Sequence, residues 1–149
     1  MKRLSAVCMA IALVLLTSPA FAQDFPTVPP NMKEAEAKGL PRVGAEELKA
    51  FFPGVAKFKG TTGKHLMTFK PDGSVDRKGF RDTAGKWRID EQNNAYCLAF
   101  TEAPHGFGKM HASKENCFAV FRAPDGTHFF DYDVANGFYA HVWRRAKGE

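Results

Sequence analysis

The chain has 149 residues, a net charge of +5 and 13% aromatic residues, and it contains 14 phenylalanines. The length argues for one domain, and a small positive surplus is an ordinary solubility margin. Basic residues are interleaved with acids, as in Lys70-Pro71-Asp72 and Lys114-Glu115. No nucleic-acid partner is expected, because that partner asks for a basic stripe on one face.

Lys2 and Arg3 precede an unbroken apolar run over residues 6–16. Thr17, Ser18 and Pro19 end the run, and the small residues of Ala20-Phe21-Ala22 follow. A basic start, an apolar middle and a small-residue cleavage site, in that order, read as a secretory signal peptide over residues 1–22. The run is too short for a membrane span, which takes about 20 apolar residues. The expected product is a bacterial periplasmic or secreted protein, cut near Ala22. Cys8 leaves with the signal, so Cys97 and Cys117 remain as an even pair in an oxidising compartment. That pairing reads as a disulfide.

Residues 23–43 read as a flexible leader. Pro26, Pro29, Pro30 and Pro41 forbid a continuous helix or a central strand. Asn31 is a good cap for two turns of helix ending near Lys38, yet that stretch has no wide apolar face. Residues 44–149 form the domain. Glu46 and Glu47 favour the first turn of a helix over residues 44–52, and Leu48, Phe51 and Phe52 make one apolar stripe. Pro53-Gly54 stops it.

From Val55 onward, strand and turn signals alternate. Pro71-Asp72-Gly73 and Pro124-Asp125-Gly126 are turns, as are Thr83-Ala84-Gly85 and Ala135-Asn136-Gly137. About eight short strands result, with connections too short for parallel crossovers. The expectation is a mostly β fold: an antiparallel up-and-down eight-stranded barrel or strongly curved sheet, with the helix plugging one end. Cys97 and Cys117 then lie on neighbouring strands, at the root of a long loop over residues 102–115.

Several motifs carry a family resemblance between about Leu48 and Arg145. These are Phe69-Lys70-Pro71-Asp72-Gly73-Ser74, Gly85-Lys86-Trp87, Tyr96-Cys97-Leu98 and Asn116-Cys117-Phe118. In this order they resemble a family of small exported proteobacterial proteins of unknown function. The resemblance implies a lipocalin-like barrel in the periplasm and brings no catalytic residues. Gly85-Lys86-Trp87 is also similar to the lipocalin Gly-x-Trp signature, although it stands mid-chain here. The plainer reading of these residues is that Gly85 turns the chain and Trp87 anchors the core.

Catalytic patterns are weak. Ser74 and Ser113 are the only serines after residue 22, and neither sits in Gly-x-Ser-x-Gly. Residues 60–65, Gly-Thr-Thr-Gly-Lys-His, lack the spacing of a phosphate loop. Asp131 and Asp133 share one strand face by alternation and are candidates for binding a cation or for acid–base work. His105, Met110 and His111 share one loop, and histidine with methionine suits copper. Trp87, Phe129, Tyr132 and Phe138, with the two aspartates, are candidates to line a barrel mouth. The leading expectation is a non-enzymatic module that binds a small apolar ligand or an envelope protein. A copper-binding protein and a protein inhibitor or structural envelope protein are the alternatives.

Overall fold

The computed structural model describes residues 26–60, 63–79, 82–101 and 114–146. Two short helices, α1 (Met32–Ala37) and α2 (Ala45–Phe51), precede eight strands. The strands are β1 (Gly54–Gly60), β2 (Gly63–Phe69), β3 (Ser74–Gly79), β4 (Thr83–Asp90), β5 (Ala95–Phe100), β6 (Asn116–Arg122), β7 (Phe129–Asp133) and β8 (Tyr139–Arg145). Each pairs antiparallel with its neighbour in sequence, and β1 pairs with β8, so the sheet closes. The expected up-and-down barrel is the observed one.

Closure follows from alternation. Ala56 and Phe58 on β1, Met67 and Phe69 on β2, Tyr96 and Leu98 on β5, and Trp143 on β8 all belong to one buried cluster. They occupy every second position, which is the pleat of a strand with one face turned inward. The interior is packed with these side chains. Phe58, Phe69, Met67, Val75, Val120 and Trp143 are each at most 2% exposed. Eight-stranded barrels have interiors about wide enough for side chains to fill. α2 closes one end: Phe52, which follows it, packs on Phe69 with ring centroids 4.1 Å apart and on Tyr96 at 5.2 Å.

Residues 26–43 do not behave as a leader. They lie as a belt across the outside of β6, β7 and β8. Met32 N donates to Gly137 O at 2.8 Å, Tyr139 N to Pro30 O at 3.2 Å and Arg122 N to Pro41 O at 2.8 Å. Asn31 caps α1 as its position suggests, its side chain accepting from Glu34 N at 2.9 Å. The belt covers a second apolar cluster of Ala35, Phe121, Phe130, Tyr132 and Val142. The prolines that rule out regular structure also fix an extended path, and Ala35 is small enough to let α1 sit flat on the sheet. No wide apolar stripe is needed for that.

Gly85 corrects another expectation. It is buried within β4 rather than in a turn, and a Cβ there would lie 2.4 Å from Ala99 O. Glycine allows β4 and β5 to approach closely at this point. Trp87 packs against the core as expected, and its Nε1–H donates to Lys70 O at 2.9 Å.

Candidate functional site

The buried polar centre of the barrel is built on Asp131. It is 0% exposed and points inward from β7. Tyr96 OH from β5 donates to Oδ2, and Trp143 Nε1–H from β8 donates to Oδ1 at 2.6 Å. His141 Nδ1 stands 3.7 Å from Oδ2. Burial raises the Asp131 carboxyl above the usual carboxylate range, against the pull of its hydrogen-bond partners. Burial also drives the Tyr96 hydroxyl well above its ordinary value, and the neighbouring carboxylate adds to this.

His65 on β2 meets His141 edge to face, with ring centroids 5.7 Å apart, and stacks on Phe58 at 5.6 Å. Gly60 makes room for this pair, because a Cβ there would lie 2.9 Å from the His141 ring. His65 Nε2 and His141 Nδ1 are buried without a hydrogen-bond partner. The His65 ring is pushed down to about 4, first by burial and then by the positive charges of His141 and Arg77. It is therefore neutral at pH 7.

The sign of its linkage follows. Between pH 6.5 and 4 the unfolded chain binds a proton that folded His65 refuses, so stability falls as pH is lowered through that window. The contribution is at most about 3 kcal/mol. Asp131, with its raised pKa, acts in the opposite sense. Urea unfolding of wild type and His65→Leu at pH 7.5 and 4.5 isolates the histidine. The variant is expected to lose less stability on acidification, and an equal loss in both would refute the assignment.

The residues singled out in the sequence do not share one mouth. Phe129 is buried inside the plugged end, stacked on Trp143 at 4.4 Å. Tyr132 is outside the barrel and under the belt, its OH donating to Pro29 O at 3.0 Å. Phe138 is 65% exposed on the β7–β8 connection. Asp133 does not join Asp131; it caps a turn by accepting from Ala135 N at 2.7 Å. His105, Met110 and His111 lie outside the described residues. Among the described residues, one group of His, Cys, Asp and Glu ligand atoms is close enough to share a metal: Asp90, Cys97 and Cys117. Both of its sulfurs are held in the Cys97–Cys117 disulfide. That leaves only one free ligand.

The open spaces lie elsewhere. A groove of about 680 Å³ beside the α2 plug is lined by Phe51, Phe129, Lys57, Arg122, Arg144 and Arg145, among others. A second, of about 430 Å³, crosses the outer face of β8, β1, β2 and β3. Its lining includes Lys57, Lys64, Leu66, Lys78 and Arg144. Neither lining includes an aspartate or glutamate. The register brings Lys57, Lys78 and Arg144 together on the outer face, while Arg145 and Arg122 meet them from the inward side at the plugged rim. No motif announces this arrangement. The only sequence signal is lysine at alternate positions, as at Lys57 and Lys59.

Comparison with protein-family models, curated proteins and solved structures finds no match to this chain. The barrel, which the motif resemblance implies, and the disulfide, which the cysteine count implies, stand on the fold itself. No helix among the described residues is long and apolar enough to cross a membrane.

Proposed function

We propose that this protein is an exported, non-enzymatic β-barrel module that binds a small anionic ligand, or an anionic group of an envelope partner, in the groove beside the α2 plug. The observation that carries the reading is the groove's lining of Lys57, Arg144 and Arg145 without a carboxylate, beside an Arg122 that is paired with Glu47, outside a barrel packed with side chains. Its volume suits a small molecule. The filled interior speaks against an apolar ligand held within the barrel. Asp131, fully buried, is engaged by Tyr96 and Trp143, which suits a structural role better than acid–base catalysis. Export rests on the signal-peptide pattern, and membership of the small exported family rests on the quoted motifs.

Outward-facing Lys57, Lys59, Lys64, Lys78, Lys86 and Arg88 stand where a membrane barrel carries an apolar band. This favours a barrel in water. Calorimetric titration with citrate tests the groove. Binding is expected in the micromolar to millimolar range, weakened at least tenfold by Arg145→Ala. No heat of binding at 10 mM citrate, or binding indifferent to Arg145→Ala, would sink the reading.

A further inference from the structure

The two basic grooves are not separate. Lys57 and Arg144 line both, and they are direct cross-strand partners on β1 and β8. The register then places Leu66 opposite Lys57, and Lys78 opposite Leu66. One transverse row on the outer face therefore reads Arg144, Lys57, Leu66, Lys78. Strands lie about 4.8 Å apart, so the row spans about 14 Å. Lys64 stands one position along β2 from His65, on the same side as Leu66. At the other end the larger groove passes over the plugged rim, where Arg145 and the Glu47-paired Arg122 stand on the inward side of β8 and β6. Among the described residues, no carboxylate pairs with Lys57, Lys78 or Arg144.

Like charges on adjacent strands repel, and a sheet tolerates that cost where a ligand supplies the counter-charge. A row of single cations at strand spacing, with an apolar side chain in its middle, fits a linear polymer with one negative group per unit. It fits a compact anion less well, since such an anion fills one groove and leaves the other open.

Three observations narrow the class. The rings at the larger groove are already covered: Arg122 lies over Phe129 at 5.2 Å and Arg145 over Phe51 at 5.7 Å. Single-stranded nucleic acid gains much of its affinity from stacking on open rings, and none is open here. Among the described residues the one large exposed apolar side chain, Phe138, lies at the belt next to Asn31 rather than on the basic face, so the described part of that face carries no wedge for a bilayer. Leu66 offers a small apolar floor between Lys57 and Lys78, suited to the face of a sugar ring.

We infer that the joined grooves form a track for a linear acidic polysaccharide, its carboxylates or sulfates read one by one by the cations of the row. The inference rests on the anionic reading of the larger groove and extends it across the barrel wall.

The test compares citrate with oligogalacturonates of one, three and eight units, by calorimetry on the full mature protein. The octamer is expected to bind at least tenfold more tightly than the trimer, with affinity falling steeply as salt is added. Lys78 lines the second groove alone. Lys78→Ala is therefore expected to weaken octamer binding at least threefold and to leave citrate binding in place. Circular dichroism of that exposed-lysine variant checks that it is folded. Citrate binding with no gain from chain length would overturn the track and leave the groove reading standing. No binding of citrate or of any oligogalacturonate would remove both. Tighter binding of a twelve-residue oligothymidine, or of phosphatidylglycerol vesicles, than of the octamer would replace the polysaccharide with nucleic acid or membrane.

Discussion

Asp131→Ala is expected to destabilise the barrel by about 3–5 kcal/mol. The substitution leaves two buried donors, Tyr96 OH and Trp143 Nε1–H, without the acceptor they now share. Each such orphan costs about 1–3 kcal/mol, so together they outweigh any relief from removing a buried carboxyl. One partner comes from β5, two strands away, and the other from the neighbouring β8. Asp131 therefore ties three parts of the barrel wall together. Equilibrium unfolding in urea at pH 7 reads the loss.

A double-mutant cycle separates this network from simple packing. Tyr96→Phe alone removes one donor and leaves Asp131 with Trp143 and His141. Made together with Asp131→Ala, it removes an orphan as well, so the double variant is expected to be about 1–2 kcal/mol more stable than additivity predicts. An Asp131→Ala variant within 1 kcal/mol of wild type would show that water or a rearranged side chain replaces the carboxylate.

Removal of the disulfide is the second large effect. Cys97 and Cys117 face each other directly across β5 and β6, with a sequence separation of 20. By the chain-entropy account, closing a loop of that size stabilises the folded state by about 3 kcal/mol. The double variant Cys97→Ser with Cys117→Ser is expected to unfold at a midpoint lower by about 10 °C, from the usual relation of ΔΔG to melting temperature. Circular dichroism melts with and without reductant read the same difference on the wild type. An unchanged midpoint would mean that the surrounding β5–β6 ladder holds the loop without the crosslink.

These two effects differ in how far the sequence announces them. The cysteine pair is legible from count and compartment, because only two cysteines follow residue 22. Asp131 is half legible. Alternation along Phe129–Asp133 puts residues 129, 131 and 133 on one face. It does not say that one carboxylate goes under Trp143 while the other caps a turn. That outcome depends on which strand lies opposite and on where β7 ends. The irregular register between Asp131 and Tyr132 marks the change.

The belt and the basic track were hidden for the same reason. Residues 26–43 have no periodic apolar face of their own, and their partners, Phe121, Phe130, Tyr132 and Val142, stand about eighty or more residues away in the chain. Arg144 and Lys78 likewise join through two intervening strands.

Local chemistry settled the eight strands, most of the turns, the α2 plug and the crosslink, because alternation, proline–glycine punctuation and cysteine count act over a few residues. Tertiary structure alone decided what fills the barrel, which aspartate is buried, where the belt lies and which cations share a face. Each of these is set by pairing between strands far apart in sequence, and a register that shifts by one residue turns every side chain of the strand to the opposite side.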